Sequence, residues 1–153
     1  MRASESPVPP EEKVEFAAMM GDYVAEMAQF VPGVRAGQAY PDFDLYWSEP
    51  DSRWPFWLNV DGARAGFALV HRDGESMQMA EFFVTRRYRL RGVGLSAARR
   101  LIARFPGAWR ITQRESNRPA IAFWHRVLDG FITYDEVRTT TDAVRCEQRF
   151  TFA

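Results

Sequence analysis

The stretch Val84-Thr85-Arg86-Arg87-Tyr88-Arg89-Leu90-Arg91-Gly92-Val93-Gly94-Leu95 decides how the rest of the chain reads. It leaves a strand pattern, passes through an arginine- and glycine-rich turn and enters an amphipathic helix. A helix start presents main-chain N–H groups with no partner inside the helix, together with a partial positive charge. Glycine at 92 and 94 lets a ligand approach that backbone closely. The combination is an anion seat that suits a pyrophosphate. The same residues also fit a solvated arginine turn before a helix. Tyr88 among the arginines leaves a nucleic-acid reading open, although no recognition-helix pattern or further interleaved aromatics accompany it. The stretch is neither a G-x-G-x-x-G dinucleotide fingerprint nor a Gly-Lys-Ser/Thr phosphate loop.

Upstream, Phe56–Val60 and Ala65–His71 flank Asp61-Gly62, a hairpin signal. Arg72–Glu75 forms a second turn, and Ser76–Val84 reads as a third strand. Downstream, Val93–Phe105 reads as a helix stopped by Pro106-Gly107. Ala108–Gln113 reads as a strand and Asn117–Leu128 as a helix. Phe131–Val137 and Val144–Phe152 read as a closing pair of strands. Central strand–helix–strand–helix order with hairpins on either side predicts a mixed α/β domain. At the N-terminus, Met1–Pro10 with its three prolines reads as a flexible lead-in to a single domain over 11–153. Glu11–Phe30 has helical periodicity. Residues 34–55 gather Tyr40, Phe43, Tyr46, Trp47 and Trp54 around a short helix near Asp42–Trp47. Those aromatics suit either a satellite core or the wall of a substrate pocket.

The chain has 153 residues, 46% hydrophobic and 26% charged, which fits one globular domain and excludes whole-chain disorder. No apolar run approaches the ~20 residues of a spanning helix, and Met1–Pro10 lacks a signal-peptide core. The expected location is the cytoplasm, with no membrane partner. Twenty basic and twenty acidic residues give a net charge of zero, but they are segregated. Residues 86–126 carry eleven arginines and one acid, whereas residues 1–60 carry ten acids and four bases. The local charge places an anionic partner in the third quarter of the chain. Cys146 is the only cysteine, and its strand pattern predicts a buried inert thiol. His71 has no partner at metal-ligand spacing, so no metal is expected.

Two motifs carry a family resemblance. Arg89-Leu90-Arg91-Gly92-Val93-Gly94 resembles the R/Q-x-x-G-x-G/A signature of the GCN5-related N-acetyltransferase (GNAT) family. Asn117, Ala120, Phe123, Trp124, Gly130 and Phe131 resemble its N-x-x-A-x-x-F-Y-x-x-x-G-F segment. Two departures stand out. Tryptophan occupies position 124 where the family commonly has tyrosine, and five residues rather than three separate it from Gly130. The first strand usual in the family has no visible counterpart here. The resemblance covers about residues 56–137. It implies the GNAT fold: a central mixed, mostly antiparallel sheet with one splayed strand pair, flanked by helices.

It also implies residue roles. Phe82, Phe83 and Val84 correspond to the strand whose backbone pairs with the pantetheine arm and polarises the acyl carbonyl. Arg89, Leu90, Arg91, Gly92, Val93, Gly94 and Leu95 correspond to the pyrophosphate loop. Asn117 matches the asparagine on the pantetheine arm, and Phe123 and Trp124 fall beside the thiol. Trp124 offers the leaving thiolate an indole N–H but is no ordinary proton donor near neutral pH. The positions where the family places a glutamate base are Gln78 and Thr112. The remaining central carboxylate is Glu81, either the base or a salt-bridge partner of a nearby arginine. Strand alternation predicts Glu81 on the face of Met79 and Phe83. Glu115 is a weaker candidate, and Gln113 and Gln78 are expected to orient an acceptor or a water.

The implied activity is acetyl transfer from acetyl-CoA, as cosubstrate, to an amine by direct attack in a ternary complex. The acceptor is a small molecule or a peptide; no nucleic acid is expected, and the chain is a monomer or a homodimer. The alternative is a non-catalytic acyl-CoA-binding module of the same fold.

Overall fold

The computed structural model describes residues 1–153. Its frame is one seven-stranded sheet ordered β1-β2-β3-β4-β5-β7-β6. The strands are β1 (Ala3–Pro7), β2 (Arg53–Val60), β3 (Ala63–Asp73), β4 (Ser76–Val84), β5 (Gly107–Arg114), β6 (Asp135–Thr139) and β7 (Arg145–Phe152). All neighbours are antiparallel except β4 and β5. The helices are α1 (Lys13–Met27), α2 (Leu45–Ser48), α3 (Val93–Arg104) and α4 (Arg118–Leu128).

The N-terminal segment is not a lead-in. Ala3–Pro7 forms β1 and pairs with Phe56–Val60 of β2. Its alternation is masked because it is an edge strand with little apolar content and a proline at its end, which edges tolerate. Glu5 of β1 is held by Arg100 of α3 through both carboxylate oxygens, at 2.6–3.0 Å. Residues 131–137 also differ from expectation. The chain turns after α4, and β6 begins only at Asp135. Phe131 packs on Phe152 and Ile132 against the main core, so these apolar residues fill the underside of the sheet rather than extend it.

Two cores lie on opposite faces. On one, α3 and α4 cover Phe56, Leu58, Ala68, Val70, Met77, Met79, Trp109 and Ile111. Ala97, Ala98, Leu101 and Ile102 of α3 supply the apolar stripe, and its arginines face outward or reach past the helix end. On the other, α1 buries Phe16, Met20, Tyr23 and Val24 against Trp57, Phe67, Leu69 and Phe83. Phe16 touches Phe43, Trp47, Trp57 and Phe67 rings at 4.9–6.0 Å. The aromatic stretch is therefore chiefly a core. Tyr40 is the exception, and it reaches the site described below.

Candidate active site

β4 and β5 pair only over Ser76–Gln78 and Ala108–Arg110. Beyond that point they part: β4 stays with β3, and β5 turns to β7. The gap opens into a cavity of about 1080 Å³. The cavity reaches from the start of α3 to the C-terminal half of α1.

A bulge in β4 sets which side chains enter it. Leu69 pairs with Glu81, yet Val70 pairs with Met79, so Ala80 is an extra residue on β4. A bulge interrupts alternation and re-aims the side chains that follow. Met77 and Met79 pack with α3 and α4, whereas Phe83 packs with α1. The expectation that Glu81 shares a face with Met79 is thereby corrected: Glu81 lies on the α1 face with Phe83. No alternation rule finds this, because the bulge is set by pairing with β3.

On that face Glu81 meets two tyrosines. Tyr40 donates its hydroxyl to Oε1 at 2.9 Å, and Tyr23 of α1 donates to Oε2. No arginine pairs with it. Burial pushes the Glu81 carboxyl up to about 7, against the opposing pull of the two hydroxyls. Burial, and then the adjacent carboxylate, pushes both tyrosine hydroxyls up, so they remain protonated donors. Glu81 is only half-buried, and it lines the cavity. A carboxylate poised near neutrality beside an open cavity is suited to take a proton from an incoming group. Tyr23 and Tyr40 carry no sequence signal for this role beyond an aromatic at the helix seam and another in a loop.

The start of α3 forms the other end. Leu90 and Gly92 both adopt left-handed backbone, at φ +61° and +76°. The N–H groups of Leu90, Arg91, Gly92, Val93, Gly94 and Leu95 have no hydrogen-bond partner in the protein. Leu90 is fully exposed, while Val93 points its side chain into a small core with Val60 and Ala65. Gly94 is closely packed. A Cβ there would stand 3.1 Å from the Phe123 ring and 3.2 Å from Val84 Cγ2.

Arg89 does not offer a loose cation. Its guanidinium bonds both oxygens of Glu26 on α1 at 2.8 Å, and its Nε donates to the Val84 carbonyl at 2.7 Å. It joins the loop, the end of β4 and α1. Other arginines of the basic segment are likewise structural. Arg99 caps the α4 carbonyls of Val127 and Arg126, Arg100 holds Glu5, and Arg110 pairs with Asp73. Arg86 and Arg126 line the cavity without an ion-pair partner.

Of the three residues at the end of β4, Phe83 differs from its expected role. Thr85 N–H bonds the Ala65 carbonyl, so by alternation the Phe83 main chain also faces β3. The main-chain groups of Phe82 and Val84 face the splay. The Phe82 ring stacks on Phe123 at 5.4 Å and meets Trp124 edge-on. Trp124 is 6% exposed, lines the cavity and makes no hydrogen bond through its indole N–H. Asn117 caps α4 by accepting from Ala120 N–H and turns its amide toward Met27 Sδ. His125 sits on the outer side of α4 with Glu136. Glu115 pairs with Arg138, and Thr112 donates to Glu147. Gln78 is engaged by Asp73. Cys146 is half-buried rather than buried, with its thiol pushed up by burial.

Comparison with known proteins agrees with this architecture. A sequence model of the acetyltransferase (GNAT) family matches residues 22–129. No curated protein sequence matches the chain. Among solved structures, yncA from Salmonella typhimurium with its cofactor acetyl-CoA superposes with a TM-score of 0.68 at 13% identity, over 100% of this chain and 95% of that one. AAC(6')-Ib in complex with ribostamycin and coenzyme A gives 0.73 at 13% identity, over 99% and 94%. RimL, a ribosomal L7/L12 alpha-N-protein acetyltransferase in complex with coenzyme A, gives 0.76 at 7% identity, over 98% and 94%. At such identities the likeness is one of fold.

Proposed function

Because the chain belongs to the acetyltransferase (GNAT) family, we propose that it transfers an acetyl group from acetyl-CoA to an amine. One observation carries the reading. Six consecutive N–H groups without partners, at Leu90 to Leu95, open on the same cavity as a carboxylate held near neutrality. The residues fit the anionic end of acetyl-CoA. A Cβ at Gly92 would meet nothing within 4 Å, so the cradle is open to a phosphate. The acyl end would lie in the splay, where Phe82 and Val84 turn their main-chain groups.

When bound, acetyl-CoA supplies a thioester whose C–S bond breaks as the new C–N bond forms. Glu81 takes the proton that the attacking amine releases, and Tyr23 and Tyr40 hold the carboxylate in place. The Val84 or Phe82 N–H holds the acyl oxygen as charge develops on it. Arg89 keeps the end of β4 and the loop in register. The two partners are brought together by the walls of one cavity, so proximity supplies much of the acceleration. Of the similar structures, one is in complex with ribostamycin and one is a ribosomal L7/L12 alpha-N-protein acetyltransferase, so a small molecule and a polypeptide are both open as acceptor here. Tyr23, Val24, Met27 and Tyr40 set Glu81 in an apolar and aromatic surround on this wall, and the other carboxylate there, Glu26, is paired with Arg89. That wall suits a primary amine on an apolar body.

Calorimetric binding of acetyl-CoA alongside thiol release over a panel of primary amines tests the reading. Binding with amine-dependent thiol release is the expected result. Binding with no turnover on any amine would make the chain a binding module, and absence of binding would remove the reading altogether.

A further inference from the structure

A chain of amides and a carboxylate runs behind the cavity. His125 of α4 bonds Glu136 of β6 at 2.6 Å. Gln148 of β7 donates to Glu136 at 2.8 Å and to Gln113 Oε1 at 3.0 Å. Gln113 of β5 donates back to Gln148 Oε1 at 2.7 Å. Gln148 is fully buried, and Gln113 is 6% exposed.

The donor count fixes every orientation. An ionised carboxylate only accepts, so Gln148 must turn its NH₂ toward Glu136. Its second proton goes to Gln113 Oε1, and its own oxygen must face Gln113 Nε2. Two amides alone can flip together between equivalent pairings; the carboxylate at the end selects one. Gln148 has then spent both protons. Gln113 has spent one of its two, and the remaining N–H has no acceptor in the protein.

That unspent donor lies at the cavity. Gln113 lines it beside Asn117 and Trp124. Along β5, Trp109 and Ile111 pack into the core under α4, and Gln113 continues the same row. A buried N–H with no acceptor is costly, and a ligand atom in the cavity would satisfy it. Trp124 meanwhile has no hydroxyl to offer the leaving sulfur.

Building on the acyl-CoA reading, we infer that Gln113 is a fixed hydrogen-bond donor to the sulfur of the acyl carrier. It stands in for the hydroxyl absent at Trp124, with Gln148 and Glu136 as positioning residues that orient its amide. As the C–S bond breaks, the electron pair stays on sulfur, and the Gln113 N–H stabilises the thiolate without giving up its proton. The acceptor amine's proton leaves by Glu81, so the balance needs no further donor.

The direct test is titration of the thiol of bound free CoA, read by thiolate ultraviolet absorbance. It requires no acceptor amine. A Gln113→Leu variant should raise the bound thiol's pKa by about one unit relative to the unaltered protein. Gln113→Leu with Gln148→Leu, which leaves no unpaired buried amide, should give the same rise and guards against misfolding of the single variant. Glu136→Gln should raise it by less. Simple removal of a negative charge would lower it instead, so the sign separates orientation from field. The charged side chains lining the cavity are common to all these proteins and cancel in the comparison. Identical titrations for the unaltered protein and the double variant would overturn the inference. Failure of the unaltered protein to bind CoA would overturn the acyl-CoA reading on which it rests, and binding measured beforehand tells the two apart.

Discussion

Tyr40, in the loop between α1 and α2, donates its hydroxyl to Glu81 of β4 at 2.9 Å, across 41 positions of chain. Tyr23 takes the other oxygen from α1. Both carboxylate oxygens are thus held from the α1 side of the cavity, and the group stays close to neutrality because burial outweighs the two hydrogen bonds. The wall that would receive the amine also sets the acidity of the group that would deprotonate it.

Tyr23→Phe and Tyr40→Phe each delete a donor to the charged form of Glu81. Hydrogen bonds to a carboxylate lower its pKa, so each deletion raises it. The acid limb of the rate–pH profile should move to higher pH by roughly one unit per hydroxyl. Steady-state rates measured from pH 5 to 10 check this; a limb that stays put in both variants separates the tyrosines from the base.

Stability should carry the opposite signature. The Glu81 carboxyl is raised from 4.5 to about 7 on folding. The folded state therefore binds the proton more tightly, and this stabilisation is present below about pH 4.5 and lost as pH rises through about 7. Glu81→Gln has no such loss. Its melting temperature should gain on the unaltered protein as pH rises across that window, and a constant difference across the window would show that Glu81 is not raised.

Gly92→Glu should remove acetyl-CoA binding while the fold persists. Position 92 has left-handed backbone and nothing near a Cβ, so the substitution costs about 1–2 kcal/mol of strain rather than a clash. Gly92→Ala carries the same strain without the charge. Calorimetry should show at least a 100-fold weaker affinity for the glutamate variant and a much smaller change for alanine. Equal affinities would detach the start of α3 from phosphate binding.

Arg100→Ala tests the first strand. It leaves the Glu5 side chain, only 6% exposed, without its cation. Arg100 itself is partly exposed, so the cost is set at about 1–3 kcal/mol, below that of a fully buried pair. Chemical denaturation should record that loss with unchanged affinity for acetyl-CoA. No change in stability would mean that the β1–α3 bridge is ornamental.

Local signals revealed the centre of the molecule. The hairpin at Asp61-Gly62, the strand Ser76–Val84 and the helix after Asn117 lie where the turn signals and the apolar pattern between them put them. The two motifs sit on this same region. The rest was hidden for physical reasons. The edge strand Ala3–Pro7 gains its order from β2, not from its own pattern. The face of Glu81 depends on an extra residue at Ala80, which only pairing with β3 creates. The resemblance places Arg89 in the pyrophosphate loop, but its ion pair with Glu26, 63 positions away, is not visible in sequence. The same blindness applied to Tyr23 and Tyr40, which resemble core aromatics until the loop brings them to Glu81.

The central claim is that Glu81 deprotonates an amine attacking acetyl-CoA. The most direct measurement is kcat/KM for acetyl transfer to the best amine of the panel, as a function of pH, for the unaltered protein and Glu81→Gln. The unaltered protein should show an acid limb near the value of about 7 set by burial of Glu81. Glu81→Gln should lose that limb and fall by roughly 100-fold or more while its acetyl-CoA affinity is kept. Superimposable profiles for the two proteins would contradict the assignment.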